Sequence, residues 1–219
     1  MPYETQVSSV NPRLLILLTD ESEESVWVIN RLIDQQSQLN FDGEAPKNRC
    51  FISVISYNYH AKELCSGWIR DLDMNPLRYK KCKKLFPDGD GGIAEFEVVQ
   101  PIWIEPSNNP ATLDCYTEAI KMAEEYSVEW IKSHSLSPIV LDCSTNCNVE
   151  YAKDEIESMK AISAKDGNIL FFGCYSDERC FDNDVFSRIP KEWGYEFSRV
   201  GLFDNHNLFS IIDNLRYYI

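Results

Sequence analysis

Five oxygen-bearing side chains stand where a hard cation could be held: Asp20, Ser22, Glu24, Thr112 and Asp142. Asp20, Ser22 and Glu24 alternate within DESEES, directly behind the apolar run RLLILLT. Thr112 lies in PATLD, ahead of a long helical pattern, and Asp142 follows the apolar PIVL. Carboxylates and hydroxyls suit Mg²⁺, with Mn²⁺ or Ca²⁺ as alternatives, because these ions take oxygen ligands. Each fragment also has a plainer reading. Ser22 makes a good helix N-cap with favourable acids beside it, and Thr112 or Asp114 could cap the next helix. What lifts the set above those readings is order: the ligand types recur at the ends of successive apolar runs.

Side chains so far apart in sequence converge only if the right elements carry them. RLLILLT is a continuous apolar run, as expected of a strand covered on both faces. A helical pattern over 24–38 follows, then a strand at CFISVISY (50–57) and a short edge strand over 61–68. A helix is expected over 114–134, a buried strand at PIVL ending in Asp142, a helix over 149–165, a strand at NILFF (168–172), a short helix over 182–189, a strand over 195–200 and a closing helix over 207–217. Alternating strands and helices predict an α/β, Rossmann-like, doubly wound and mostly parallel sheet with helices on both faces. In such sheets ligands gather at the carboxyl ends of strands, near the point where strand order reverses. One domain over 12–219 is expected behind a tail over 1–11. An excursion at about 70–110 breaks the alternation; it holds a strand near 96–104 and reads as a partly ordered insertion or β-hairpin.

On these residues the chain resembles a von Willebrand factor A (VWA) domain. The metal-ion-dependent adhesion site of that family uses a D-x-S-x-S loop after the first strand, a threonine before a later helix and an aspartate ending the next strand. The matching stretches are LLILLTDES, FISVISYNYHAKEL, PATLDCYTEAIKMA and SPIVLDCST. The resemblance implies that Asp20, Ser22, Thr112 and Asp142 hold Mg²⁺ with a coordination position open to an acidic residue of a partner protein. Two positions depart from the pattern: Glu24 stands for the third loop serine, and Cys143 for the usual glycine. Glu24 either ligates as a third carboxylate or is too long for the site. The likeness extends to a bacterial intracellular branch associated with tellurite-resistance and stress-response operons. This implies a cytoplasmic adaptor whose partner is a kinase or phosphatase from the same operon.

Charge and the remaining motifs narrow the alternatives. With 21 Lys and Arg against 35 Asp and Glu, the net charge of −14 opposes nucleic-acid and anionic-membrane binding. The one basic run, Arg78 to Lys84, is short and followed by DGDGG. That turn lacks the distal acid of an EF-hand loop. No signal peptide or apolar membrane span is visible, so the eight cysteines are expected as reduced thiols. Cys143, Cys147, Cys174 and Cys180 flank two strand ends and could converge as a zinc site, although buried free thiols are the simpler reading. His60, His134 and His206 sit in no ligand or nucleophile pattern and read as surface or capping residues. The competing function is a Mg²⁺-dependent phosphoryl-transfer or receiver-like enzyme domain. Against it, no nucleophile motif is present and no histidine or lysine is expected at the strand ends.

Overall fold

The computed structural model describes residues 11–38, 49–87, 92–107, 116–136, 138–144, 170–175 and 198–202. In chain order the elements are β1 (Arg13–Thr19), α1 (Glu23–Gln38), β2 (Cys50–Ser56), β3 (Lys62–Trp68), α2 (Ile69–Met74), β4 (Arg78–Pro87), β5 (Ile93–Ile102), α3 (Tyr116–Ile131), β6 (Ile139–Ser144), β7 (Leu170–Tyr175) and β8 (Ser198–Leu202).

All seven residues of β1 are buried. A strand without a polar face must be covered above and below, and β1 lies inside a six-stranded sheet of order β3-β2-β1-β6-β7-β8. The pairings β2–β1, β1–β6, β6–β7 and β7–β8 are parallel, and β3 closes one edge antiparallel to β2. Alternation then sorts the core into two layers. Leu15 and Leu17 pack with Val28, Ile29, Leu32 and Ile33 of α1. Leu14, Ile16 and Leu18 pack on the opposite face with Ala119, Ile120 and Ala123 of α3. Each fully buried aliphatic side chain here contributes about 1.5–3 kcal/mol by leaving water. The expected architecture, a mostly parallel sheet with helices on both faces, is the one observed.

The first strand sits mid-sheet, so the chain winds outward through β2 and β3, then returns to the other side of β1 with β6. Strand order therefore reverses between β1 and β6. The excursion forms a separate two-stranded antiparallel sheet, β4–β5, whose ladder runs from Arg78↔Ile102 to Pro87↔Ile93. Its second strand begins at Ile93, three residues before the expected start, and α2 was not anticipated.

Behind β5 the chain is fastened into the core. Trp103 and Ile104 are buried against α1. The Asn30 side chain accepts from the backbone N–H groups of Trp103 (2.7 Å) and Ile104 (3.2 Å), and it donates to the Ile104 carbonyl (2.9 Å). The Trp103 indole donates to the Leu72 carbonyl at 2.7 Å, which ties in α2.

The edge strand over 61–68 and the first helix match expectation to within a residue or so. Asn11, expected in the tail, accepts a 2.6 Å hydrogen bond from Ser135. Three expected helices, over 149–165, 182–189 and 207–217, lie outside the described residues, as does much of the span expected as one domain. Among the described residues, no helix is long and apolar enough to cross a membrane.

Candidate functional site

Asp20 is the first residue beyond β1, and Asp142 lies in β6 opposite Leu18. Both acids therefore stand at the carboxyl edge of adjacent strands, on either side of the strand-order reversal. They are 3% and 1% exposed, which sets them apart from most of the acids among the described residues. One expectation needs correction: Asp142 does not end its strand. Cys143 and Ser144 carry the ladder on, because they still pair with Cys174 and Tyr175 of β7.

The loop between β1 and α1 is held by its own short side chains. Asp20 Oδ1 accepts from the Ser22 backbone N–H (3.0 Å) and from the Ser22 hydroxyl (2.6 Å). The Ser22 hydroxyl in turn accepts from the Ser25 N–H at 3.3 Å, so Ser22 caps α1 while sitting against Asp20. The capping and ligand readings of Ser22 are compatible in one geometry. Asp142 Oδ1 accepts from the Tyr57 hydroxyl at 3.2 Å.

Ser25, one position past Glu24, is fully buried and joins three elements. Its hydroxyl donates to the Cys143 carbonyl at 2.6 Å. That uses its single proton, so the 2.6 Å contact with Thr19 Oγ1 requires the threonine to donate. Thr19 Oγ1 also accepts from the Glu21 N–H at 2.9 Å. A relay thus runs from the loop backbone through two hydroxyls to β6.

Glu21 has φ 57°, the left-handed conformation that non-glycine residues seldom adopt. Its buried carboxylate accepts from the Ser56 hydroxyl and pairs with Lys62 at 3.2 Å. The expectation that no lysine reaches the strand ends is therefore overturned. Because β3 runs antiparallel to β2, its first residue, Lys62, lies beside Ser56 at the carboxyl edge.

Glu24 is exposed on the first turn of α1. Among the described residues, no three His, Cys, Asp or Glu side chains come together as a metal cluster, so Asp20, Glu24 and Asp142 do not form a three-carboxylate group. Thr112 lies outside the described residues. The donors brought to one edge are Asp20, Ser22 and Asp142, all oxygen, and this set fits a hard divalent cation.

The other candidates take plain roles. His134 stacks on Trp130 at 3.8 Å at the end of α3, and its Nδ1 lies 3.1 Å from the Trp130 carbonyl. His60 is exposed, and His206 lies outside the described residues. Cys143 is buried, and its backbone is in register with Cys174. Cys147 and Cys180 lie outside the described residues. In β4, Lys81 and Lys83 pair with Glu97 and Glu95, and Arg78 pairs with Glu105.

The sequence reading missed Thr19, Glu21, Ser25 and Tyr57. For Ser25 the signal was a small polar residue on the helix face that carries Val28, Ile29 and Leu32, where an apolar residue is expected.

No family model matches the chain, and no curated protein does. Among solved structures, the crystal structure of the SpRpn10 VWA domain is similar. It is 10% identical, covers 94% of this chain and 95% of that chain, and has a TM-score of 0.49. A likeness at that level bears on neither activity nor partners.

Proposed function

We propose that the chain is a VWA-type protein-binding module whose carboxyl edge holds a divalent cation, most simply Mg²⁺, through Asp20, Ser22 and Asp142, with Thr112 as a further ligand. The observation that carries this reading is the pair of buried carboxylates on neighbouring strand ends at the strand-order reversal. Burying ionised carboxylates is costly unless they are hydrogen-bonded or coordinate a metal. Hydroxyl and amide donors stand against these carboxylates here, and a bound cation would add to their compensation. The bound ion would give a docking point for an acidic residue of a partner protein. The residues of this chain would hold and orient the ion; Ser25 and Thr19 would fix the loop that carries Asp20.

Binding rather than turnover is the expected mode. Among the described residues, Lys62 is a cation at this edge and is paired with Glu21, and His134 stacks on Trp130 away from it at the end of α3. The stress-response setting and a kinase or phosphatase partner rest on the sequence resemblance alone.

Melting curves in millimolar Mg²⁺ and in EDTA test the reading. A ligand at 100 times its Kd stabilises the fold by about 2.7 kcal/mol. The melting temperature should therefore rise with Mg²⁺ in the wild type and stay fixed in Asp20→Ala and Asp142→Ala. A wild-type protein indifferent to the ion would remove the metal from the proposal.

A further inference from the structure

The β4–β5 sheet has two strands and, among the described residues, no third. A two-stranded ribbon is at best marginal in water, and an unpaired strand edge is a template for another strand. Within this ribbon β4 already has one partner, and the chemistry of that pairing is specific. β4 carries Arg78, Lys80, Lys81, Lys83 and Lys84, whereas β5 alternates Glu95 and Glu97 with Ala94, Phe96 and Val98. Two diagonal ion pairs, Lys81–Glu97 at 2.7 Å and Lys83–Glu95 at 2.5 Å, join them.

Lys80 is exposed and has no ion pair among the described residues. Tyr79 and Val99 are also exposed, at 63% and 59%. Together the two strands carry five cations and two acids, in a chain whose net charge is −14. The arm is thus opposite in sign to the molecule as a whole, so an acidic segment is drawn to it and repelled elsewhere.

We infer that the outer edge of β4 docks an extended segment of a partner protein in which acidic residues alternate with apolar ones. The segment adds as a third strand on the side away from β5. Main-chain hydrogen bonds supply affinity, and the lysines select for acids. This surface belongs to a different sheet from the carboxyl edge and does not depend on a cation there.

The test uses the full chain and a fluorescent synthetic peptide with the sequence of β5, Ile93–Ile102, read by anisotropy and by amide exchange. Saturable binding is expected, weakened at least tenfold in 0.5 M salt, in Lys80→Glu, and for the same peptide with both glutamates replaced by lysine. EDTA and Asp20→Ala should leave it unchanged, which separates this result from the fate of the proposed metal site. Lys80→Gln, with circular dichroism as a fold control, serves if the Glu variant does not fold. Exchange should show new protection in β4 with β5 protection retained.

Absence of saturable binding at millimolar peptide, or equal binding of the two peptides, would overturn the proposal. So would loss of protection in β5, which would mean strand replacement. Self-association in sedimentation that Lys80→Glu abolishes would also overturn it, by giving the edge to a second copy of this chain.

Discussion

In strand β1 every residue is buried, whereas in the β4–β5 ribbon none of the side chains whose exposure is described is buried. The ribbon nevertheless has the longer ladder, ten pairs against seven between β1 and β2. Backbone pairing alone therefore does not set the contribution of a strand to stability. In β1 that contribution comes from two apolar layers, each closed by a helix. In the ribbon it comes from cross-strand ion pairs and from the anchor at its foot, where Trp103 and Ile104 enter the core and Asn30 satisfies their backbone groups.

The sharpest way to break this contrast is a cavity in β1. Leu17→Ala should cost about 2–5 kcal/mol by urea denaturation. A cost below about 1 kcal/mol would mean that the layer against α1 is not close-packed.

Next in size is the anchor. Asn30→Ala strands two buried N–H groups and one carbonyl, and should cost about 2–3 kcal/mol. Amide exchange should accelerate in β4 and β5 while β1 stays slow; a uniform acceleration would show that arm and sheet open together.

A third test uses the thiols of the sheet. Burial pushes Cys50 from 9.0 up to about 12, against the opposing charges of Arg13 and Arg49. Cys65 rises from 9.0 to about 12, again chiefly by burial, with Glu63 adding to it. Below pH 9 both the folded and unfolded states keep the proton, so the contribution is complete. As pH climbs from 9 toward 12 the unfolded chain ionises first and stability drains away. At pH 10 each thiol should account for about 1 kcal/mol of loss. Cys→Ser variants at the two positions should flatten that limb of the pH–stability curve; an unchanged slope would assign it to other groups.

The smallest effect belongs to the ribbon itself. Lys81→Ala removes an exposed ion pair and should change stability by about 0–1 kcal/mol, less in high salt. A larger loss would mean that the arm supports the core.

Most of the sheet was legible because period and apolar run length are local properties. RLLILLT, CFISVISY and PIVL announced buried strands, and the two-sided cover followed from their lack of polar alternation. The arm was harder: a lysine-rich strand has poor intrinsic β preference, and Lys80 through Lys84 read as a basic run until Glu95 and Glu97 are set opposite them. The six-residue α2 is too short to show a helical period. At the candidate site, Asp20, Ser22 and Asp142 could be picked out by their position behind apolar runs. Ser25 left only a weak signal, a small polar residue on an apolar helix face, because its partner, Cys143, is 118 residues away. Lys62 was missed for a similar reason: only the reversal of β3 brings it to the carboxyl edge.

From Thr19, the last residue of β1, to Ile139, the first of β6, is 120 residues, and that separation has a consequence during synthesis. Strand β1 leaves the ribosome well before one of its two sheet neighbours, β6, which follows only after the β4–β5 arm and α3 have been made. At roughly 5–20 residues per second, the gap is about 6–24 s. For that time an apolar strand has one edge open, next to a nascent chain that can already pair β1 with β2. A chaperone that binds extended apolar segments should therefore find this chain during translation rather than after it. The half-sheet β3-β2-β1 is the species it would hold.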